Sequence, residues 1–434
     1  MANLTATVKL WGEFVGVVFW DEEKELGSFQ YNPKFIKTNW EVAPLMMPLP
    51  KSVKKDNPVF KFERLNRETF YRLPGMLADA LPDKYGTTLI DAWLASQGRT
   101  AQSMNPVERL CYMGNRGMGA LEFEPATHKT KESAVSVEIK SLVEMAQQII
   151  GSRKKFSVNL KNDVKKSLED IIRVGTSAGG ARAKAIIAYN EKTGEVRSGQ
   201  VAAPKGFNHW LLKFDGVSDR ALGDPAGYGR IELAYYYMAL DCGIKISESR
   251  LLEENGRAHF MTKRFDRIKG KEKLHVQSLC GIRHFDFAQV GTYSYEQVFE
   301  TIRSLRLPAG AKEQLYIRMV FNVIARNLDD HTKNFSFLMN KKGEWQLAPA
   351  YDLTYSYNPE SKWVSQHNLS INGKTKDITK EDLLRVGHEM NVKKAKAIIE
   401  KVQSVIKKWA QYAKKTGVKA DQIKAIDKTL LTKI

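Results

Sequence analysis

The chain has 434 residues, 43% hydrophobic and 27% charged, an ordinary globular composition that can fill two or three cores. No stretch approaches eighteen uncharged apolar residues, and the first twenty lack a basic start and a cleavage site, so we expect neither a membrane span nor a signal peptide. The net charge of +19 favours a partner with many negative charges but does not distinguish DNA, RNA and an acidic protein.

The chain has three cysteines, Cys111, Cys242 and Cys280, which are far apart and form no CxxC pair. An odd number at such spacing argues against a disulfide framework and against a zinc site. We therefore expect reduced, buried thiols in a cytoplasmic protein.

Residues 1–127 alternate short apolar runs with turns and predict an N-terminal subdomain rich in β-strands. We expect two or three strands in "ATVKLWGEFVGVVFWDEEKELGSFQYN" and a helix interrupted near Pro82 in "GMLADALPDKYGTTLIDAWLAS". The run "NRGMGALEFEP" predicts a glycine-rich turn and a strand, and the polar stretch "ATHKTKESAVS" predicts a linker after it.

Residues 128–268 predict a nucleotide-binding part of mixed strands and helices, and residues 269–434 a catalytic part that is mainly helical. The second part contains the predicted strands "AKAIIAY" and "HWLLKFD" and the predicted helix "IELAYYYMALDCGI". An apolar helix face in the second part consists of Val137, Leu142, Met145 and Ile149. An apolar stripe near the C-terminus consists of Ile398, Val402, Val405, Trp409 and Tyr412.

A charged loop, "ARNLDDHTKNFSF" at residues 325–337, lies between an apolar helix and a predicted hairpin. Strands in "NFSFLMN" and "WQLAPAYD" flank the turn "KKGE", and a turn centred just before Gly343 sets Asn334 opposite Tyr351. Asp352 then lies within several ångströms of Asn334. An amide oxygen and a carboxylate placed in this way are suitable ligands for the Mg²⁺ of a bound nucleotide.

Asp329 precedes Asn334 by five residues, the separation between the catalytic aspartate and a metal-binding asparagine in protein kinases. Asp352 corresponds to the second metal-binding acid of those enzymes, which lies on a later strand. Two alternatives remain. Asp329 and Asn334 cap a helix and a turn, or "DDH" belongs to a metal-dependent hydrolase, which needs further histidine or aspartate ligands.

The run "GTSAGGARAKAIIAY" at residues 175–189 predicts a glycine-rich loop that enters a strand. Glycines at Gly175, Gly179 and Gly180 allow backbone N–H groups to approach phosphate oxygens. The run does not match GxxxxGK[ST], so a Walker-type loop is not expected, and an ordinary β-turn is the alternative.

Lys213, in the predicted strand "HWLLKFD", is the candidate lysine for the ATP phosphates, with Glu232 as the acid that orients it. The alternative is a surface lysine and a glutamate favoured at a helix start by the helix dipole. The backbone at Lys263, Arg264 and Phe265 is the candidate contact for adenine, with Phe265 as a core aromatic being the alternative.

Together these motifs resemble the HipA-type serine/threonine kinases, the toxins of bacterial type II toxin–antitoxin systems. The matching pieces, in family order from about residue 80 to 360, are "LPDKYG", "NRGMGALEF", "TSAGGARAK", "HWLLKFD", "IELAYYYMALDCGI", "KRFDR", "DDHTKNFSF" and "PAYDLTYS". The resemblance implies an α+β fold: a protein-kinase-like two-lobed core with an N-terminal β-rich subdomain and an all-helical C-terminal lobe.

The resemblance also implies residue roles, with ATP and Mg²⁺ as cofactors. Asp329 matches the catalytic base, and Asn334 and Asp352 match the metal-binding positions. The implied nucleotide contacts are Gly179, Gly180, Ala181, Arg182, Ala183, Lys184, Lys213, Lys263, Arg264, Phe265, His331, Lys333, Asn334, Tyr351 and Asp352. Ser177 matches a serine that family members autophosphorylate, and its neighbour Thr176 is the alternative.

The implied partners are a small DNA-binding antitoxin, operator DNA through that antitoxin, and a protein substrate, which in the family is an aminoacyl-tRNA synthetase. Lys374 and Lys376 in "SINGKTK" are candidates for direct DNA contact. Two other readings stay open: a small-molecule kinase of the aminoglycoside or choline type, and a non-catalytic DNA-binding co-regulator.

The chain departs from the family pattern at three positions. Arg182 and Ala183 stand where the family often has Gln and Glu, and Asp330 stands in place of a Gly. The sequence assigns no role to Asp330.

Overall fold

The computed structural model describes residues 5–51, 57–127, 134–151, 169–172, 174–175, 182–217, 227–268 and 272–434. The chain divides into two compact units. The first comprises Met1–Ala226, Leu252–Val276 and Asn340–Gly343, and the second comprises Gly227–Leu251, Gln277–Met339 and Glu344–Ile434. The boundaries proposed after residues 127 and 268 stay predictions.

A five-stranded antiparallel sheet forms the N-terminal part of the first unit. Its strands are β1 (Thr5–Leu10), β2 (Glu13–Asp21), β3 (Leu26–Tyr31), β4 (Phe60–Lys61) and β5 (Leu121–Glu124), in the spatial order β4-β3-β2-β1-β5. In β1, Ala6, Val8 and Leu10 are buried and alternate with more exposed residues, the two-residue period of a strand with one face in a core.

Short helices accompany this sheet. They are α1 (Pro33–Ile36), α2 (Arg67–Phe70), α3 (Gly75–Ala78), α4 (Lys84–Ser96) and α5 (Pro106–Met113), with a 3₁₀ turn at Ala101–Ser103. The interruption predicted near Pro82 lies between α3 and α4. Helix α5 begins at a capping box, in which Asn105 and Glu108 each accept a hydrogen bond from the other's backbone N–H, at 2.8 and 2.9 Å.

A second five-stranded sheet contains the predicted nucleotide-loop strand. Its strands are β6 (Lys184–Tyr189), β7 (Val196–Ser198), β8 (Asn208–Lys213), β9 (Ser249–Glu254) and β10 (Arg257–Lys263), in the order β7-β6-β8-β10-β9. Strands β11 (Arg267–Ile268) and β12 (Glu272–Lys273) form an antiparallel pair. Helix α6 (Ile139–Gly151) buries Leu142, Met145 and Ile149 as predicted, whereas Val137, also assigned to this face, is buried but lies before the helix begins.

The second unit is mainly helical. Its helices are α7 (Tyr228–Cys242), α8 (Leu279–Arg283), α9 (Tyr295–Ser304), α10 (Gly310–Ile324), α11 (Lys380–Glu389), α12 (Ala395–Ile406), α13 (Trp409–Lys415) and α14 (Ala420–Asp427), with a 3₁₀ turn at Thr332–Asn334. Strand β13 (His275–Ser278) leads into the unit. The others are β14 (Tyr293–Ser294), β15 (Ser336–Met339), β16 (Trp345–Leu347) and β17 (Leu369–Ser370), where β15 pairs with β16 and β14 with β17.

The apolar core of the second unit surrounds α10, which packs against α9 and α12. The C-terminal stripe divides between two helices: its first three residues lie in α12, and Trp409 begins α13. Tyr412 is only half-buried, and its hydroxyl donates to Asp241 Oδ2 at 2.5 Å. The α+β prediction is confirmed. All three cysteines are buried thiols, and no helix among the described residues is long and apolar enough to cross a membrane.

Candidate active site

The charged loop follows α10 within the second unit. Arg326 adopts a left-handed backbone conformation (φ 56°), which turns the chain away from the helix. The backbone N–H of Leu328 then donates to Ser356 O at 3.0 Å. Asp329 follows with a side chain that is 43% exposed, so its carboxylate is accessible to a substrate hydroxyl.

Asn334 ends the 3₁₀ turn of this loop. Its amide nitrogen donates to the backbone oxygen of Asp329 at 2.6 Å. That bond fixes the orientation of the amide, so the amide oxygen is the atom left to bind a ligand. Asp329 and Asn334 are therefore joined directly across their five-residue spacing.

The hairpin after Asn334 has a register one residue away from the predicted one. Phe337 pairs with Leu347, whereas a pairing of Asn334 with Tyr351 requires the next register. The difference arises in the turn, which has five residues between the paired strand ends, with Gly343 in the left-handed region (φ 78°). A turn that ends in a left-handed glycine adds one residue to a hairpin loop.

Asn334 and Asp352 nevertheless line the same pocket, of about 280 Å³ including its open mouth. The pocket is also lined by Arg318, Asn322, Asn327, Asp330, Phe335, Ala350, Tyr351 and Leu353. Asp352 has a left-handed backbone (φ 56°), a conformation that aspartate tolerates better than most residues and that occurs often at functional sites.

The oxygen atoms that line this pocket are suitable ligands for Mg²⁺. The amide oxygen of Asn334 and the carboxylate of Asp352 are hard ligands, and a pair of protein ligands leaves coordination positions for water and phosphate oxygens. Within the described ranges, no group of three His, Cys, Asp or Glu side chains is placed to hold a metal ion. A site in which one aspartate, one asparagine and the phosphates of a nucleotide hold the metal is of a different type, because the protein supplies only two of its ligands.

Tyr351 connects the two sides of the pocket. Its hydroxyl lies 2.6 Å from the backbone oxygen of Lys333, to which it donates, and 2.6 Å from Ser336 Oγ. The segment after β16, which carries Asp352, is thus bonded to the loop that carries Asn334. In this structure the Tyr351 hydroxyl serves the protein's own loop, whereas the resemblance implies a nucleotide contact.

Arg318 is a feature that the sequence reasoning missed. It lies on α10, is 3% exposed, and its Nη2 donates to Ala348 O, directly after β16, at 2.8 Å. Burial lowers the pKa of Arg318 to about 10, which leaves the guanidinium charged at neutral pH. A single arginine inside the apolar run "LYIRMVFNVIA" was the available signal, because a buried charge needs a reason.

Asp330 is buried and accepts three hydrogen bonds. The donors are the Tyr295 hydroxyl at 2.8 Å, His367 Nδ1 at 2.7 Å and the Asn368 backbone N–H at 2.7 Å. Burial, and then the Asp330 carboxylate, raise the pKa of Tyr295 well above its ordinary value, so the hydroxyl stays a donor. These partners lie 35 to 38 residues away in sequence, too far for any local motif to indicate them.

Phe287 lies beside two further ionisable residues of the loop, Lys333 and His331. The Lys333 Nζ is 4.8 Å from the centre of the Phe287 ring, and the His331 ring centre is 5.6 Å from it. His331 Nε2 is 3.8 Å from Asp329 Oδ1, and its buried Nδ1 has no hydrogen-bond partner among the described residues. An unsatisfied buried nitrogen is the kind of atom that a water or a ligand completes.

In the first unit, Lys184 and Lys213 lie opposite each other on β6 and β8. Lys184 is 4% exposed, and the Lys213 Nζ is 5.6 Å from the centre of the Phe260 ring. Like charges directly opposite on paired strands repel, and an anion such as phosphate relieves that repulsion. Arg182 is half-buried and Ala183 buried just before β6.

The rest of the predicted glycine-rich loop, including its phosphorylation candidates, lies outside the described residues. This applies to Thr176, Ser177, Gly179, Gly180 and Ala181.

Residues 263–265, predicted to meet adenine, end β10 in the first unit. Lys263 pairs with Trp210, and its Nζ is 5.8 Å from the centre of that ring. The backbone N–H of Arg264 donates to His209 O at 2.9 Å and is therefore not free for a base. The Arg264 guanidinium is buried against Asp266, at 2.7 and 2.9 Å. The backbone of Lys263 and Phe265 remains the candidate contact.

Lys374 and Lys376, the candidates for DNA contact, lie in the second unit. The Lys374 Nζ donates to Asp382 Oδ2 at 2.9 Å, and the same carboxylate caps α11 through Thr379. The lysine charge is therefore partly balanced within the protein. Lys376 lies in the same loop and is exposed.

Comparisons with known proteins bear on both parts of the chain. A family model described as the HipA N-terminal domain matches residues 6–124, and one described as the HipA-like C-terminal domain matches residues 176–409. A candidate kinase of Sinorhizobium fredii, Y4mE, is 28% identical over 125 residues, which are 27% of this chain and 30% of that protein. A candidate kinase of Haemophilus influenzae is 26% identical over 26% of this chain and 36% of that protein. The chain thus spans about a third of the length of these curated relatives.

A solved structure resembles the whole chain. It is a chain of the Shewanella oneidensis MR-1 toxin–antitoxin system HipA, HipB and its operator DNA complex, which matches with a TM-score of 0.67 at 16% identity. The match covers 98% of this chain and 96% of that one. At this identity the match establishes the fold, and it confirms the predicted protein-kinase-like class.

Proposed function

Because this chain belongs to the HipA family, we propose that it is an ATP-dependent serine/threonine protein kinase, the toxin of a toxin–antitoxin pair. Its substrate is a protein of translation, such as an aminoacyl-tRNA synthetase, and its modification arrests growth. The proposal places the protein in the cytoplasm.

One observation supports this function above the others. Asp329, exposed and bonded through its backbone to Asn334, stands beside a pocket on which Asn334 and Asp352 present oxygen ligands. A base, an amide oxygen and a second acid are the set that phosphoryl transfer from a Mg²⁺–nucleotide requires.

In the proposed reaction, Asp329 orients the substrate hydroxyl and accepts its proton. The hydroxyl oxygen bonds to the γ-phosphorus as the bond from that phosphorus to the bridging oxygen breaks, and ADP leaves. Mg²⁺, when held by Asn334 and Asp352, neutralises charge on the phosphates. Most of the rate enhancement comes from positioning and charge stabilisation.

The remaining nucleotide contacts are proposed from the resemblance to the family. Lys213, Lys184 and the glycine-rich loop hold the phosphates, and the backbone near Lys263 and Phe265 meets adenine. His331 and Lys333, held against Phe287, line the approach to Asp329.

The test is transfer of label from radioactive ATP. Purified protein is incubated with Mg²⁺, labelled ATP and bacterial extract, beside Asp329→Asn and the control Asp427→Asn, an exposed aspartate at the end of α14. We expect a labelled protein band with the wild type and the control, and none with Asp329→Asn. Label in a small molecule instead indicates a kinase of the aminoglycoside or choline type, and full transfer by Asp329→Asn contradicts the assignment.

Autophosphorylation at Ser177 is a separate part of the proposal. A phosphate there adds roughly two negative charges to a loop whose proposed role is to bind phosphates, so repulsion from ATP should stop the enzyme. Mass spectrometry after incubation with ATP should find phosphate on Ser177, or on Thr176. Absence of phosphate from residues 175–184 removes this regulation while leaving the kinase assignment intact.

Nucleic-acid association is favoured by the distribution of charge. Residues 391–434 contain twelve lysines and three carboxylates, a net charge of +9, nearly half of the total of +19. All twelve lysines are exposed. Lysines bind phosphates as point charges without reading bases, so we propose that they support binding to operator DNA through a small DNA-binding antitoxin. Salt-dependent DNA affinity that needs no antitoxin and no ATP would favour a co-regulator instead.

A further inference from the structure

The buried carboxylate of Asp330 is next to the proposed base, Asp329, but differs from it in solvent exposure and in hydrogen bonding. The Asp329 side chain is 43% exposed, whereas the Asp330 side chain is fully buried. Oδ2 of Asp330 accepts from Tyr295 and His367, and Oδ1 accepts from the backbone of Asn368. A buried carboxylate with three donors is satisfied, and its side chain has no exposed surface that a substrate hydroxyl could reach.

The donors to Asp330 belong to separate segments of the second unit. Tyr295 is in the first turn of α9, whereas His367 and Asn368 precede β17. The Asn368 side chain adds two further bonds, because its Nδ2 donates to Leu328 O at 2.8 Å and to Trp363 O at 3.0 Å. The residues on either side of Asp329 are therefore both bonded to Asn368, Leu328 through its backbone oxygen and Asp330 through its carboxylate.

A chain of amides continues this network to α10. Asn322 Nδ2 donates to the Tyr295 hydroxyl at 2.9 Å, and Asn327 Nδ2 donates to Asn322 Oδ1 at 2.9 Å. Residues 327 and 330 are thus both connected to Tyr295, on either side of Leu328 and Asp329. Such a closed set of bonds restricts the backbone of the base more than any single contact does.

From this network we infer that Asp330 is a positioning residue, which fixes the backbone of Asp329 through Tyr295, His367 and Asn368. The inference rests on the proposed function, because it gives Asp330 its purpose through the base beside it. Misplacement of a reacting group by about 1 Å costs on the order of 100-fold in rate. Removal of the carboxylate should therefore slow phosphoryl transfer without weakening nucleotide binding.

Two substitutions at Asp330 distinguish the loss of its hydrogen bonds from the loss of its negative charge. Asp330→Ala removes both acceptor oxygens and with them all three hydrogen bonds. Asp330→Asn keeps the shape and keeps an oxygen for the Asn368 N–H. Its amide nitrogen meets His367 Nδ1, which can accept in its other tautomer, and only the bond donated by the Tyr295 hydroxyl is lost. The matched control is Asp382→Ala, since Asp382 is also buried in the second unit and also accepts a backbone N–H, that of Thr379 at 2.9 Å.

The first measurement is hydrogen exchange, which needs no activity. Asp330→Ala should raise exchange at the Asn368 amide and across residues 328–334, and Asp382→Ala should raise it near Thr379 only. Unchanged exchange at residues 328–334 in Asp330→Ala overturns the inference, even if the protein proves to be a kinase.

The second measurement separates binding from the chemical step. For Asp330→Ala we expect a loss of about 100-fold in single-turnover transfer with the dissociation constant for Mg²⁺–ATP within about twofold, and recovery of most of the rate in Asp330→Asn. Equal losses in Asp330→Ala and Asp382→Ala indicate general destabilisation and overturn the positioning role. A wild type that transfers no phosphate instead contradicts the proposed function, and the exchange data then still decide whether Asp330 holds the loop.

Discussion

The two units each contain a fully buried aspartate, and they satisfy it by different means. In the first unit, Asp266 accepts from Arg264 at 2.7 and 2.9 Å, from Arg267 at 2.5 Å and from the Gly119 N–H at 2.7 Å. In the second unit, Asp330 accepts from a tyrosine, a histidine and a backbone amide. One carboxylate is held by two fixed cations, and the other has neither arginine nor lysine among these donors.

The difference matches the surroundings of each group. Burial alone raises the pKa of Asp266, but the charges of Arg264 and Arg267 outweigh it and hold that pKa well below the ordinary range. The two arginines also donate to Gly117 O, so this ion cluster ties β11 to the glycine-rich turn before β5. At Asp330, by contrast, a tyrosine hydroxyl and a backbone amide supply two of the three bonds without adding a fixed charge next to the proposed base.

The largest effect is expected at the exposed aspartate. Asp329→Asn should reduce phosphoryl transfer by about 10²- to 10⁴-fold, the usual contribution of a positioned base, and leave the unfolding free energy within about 0.5 kcal/mol. Single-turnover kinetics and urea unfolding measure the two quantities. A large loss of stability in this variant would mean that Asp329 also stabilises the fold, which contradicts its assignment as a base alone.

Asp266→Ala should act in the opposite manner. It leaves Arg264 and Arg267 buried without a counter-charge and should lower the unfolding free energy by about 3–5 kcal/mol. Glu124→Ala, which removes the partly exposed partner of Lys9, is the control and should cost at most about 1 kcal/mol. Similar losses in both variants would show that the buried cluster does not stabilise the first unit.

The dependence of the unfolding free energy on pH gives a second test of the difference between the two buried aspartates. Because the folded pKa of Asp266 lies below its unfolded value, its stabilisation is present above about pH 4 and is lost as pH falls toward the folded pKa. The stability difference between the wild type and Asp266→Asn should therefore shrink from pH 5 to pH 3 in urea unfolding. A difference that stays constant over this range would mean that the arginines do not depress this pKa.

The smallest effect is expected for Tyr351→Phe. The variant loses the donor to Lys333 O, so we expect about 1 kcal/mol of lost stability and a modest fall in transfer rate. Tyr355→Phe, whose hydroxyl bonds Thr429 at 3.0 Å, is the control and should lose similar stability without the rate effect. Equal transfer rates in the two variants would show that the Tyr351 hydroxyl does not contribute to the function of the pocket.

The sequence predicted the local parts of the site and missed those that depend on distant contacts. The hairpin motif was sufficient to bring Asn334 and Asp352 to one pocket, because both lie near a turn that the glycine and polar residues indicate. Its register was wrong by one, since loop length depends on the backbone of Gly343, which letters alone do not specify.

The unpredicted parts involve long sequence separations. His367 and Asn368 reach Asp330 across 37 and 38 residues, and nothing near Asp330 in sequence marks it as buried. Lys374 was predicted only as a DNA contact, whereas the structure pairs it with Asp382, an acid eight residues away that also forms the capping box with Thr379.

The left-handed backbone of Asp352 limits which residues selection can place there. Glutamate carries the same charge but adopts this conformation far less readily than aspartate or asparagine. If inactive Asp352 variants are randomised at this codon and selected for recovered growth arrest, aspartate should return most often, asparagine weakly and glutamate hardly at all. The backbone conformation of one residue thus determines which substitutions remain open at this proposed metal ligand.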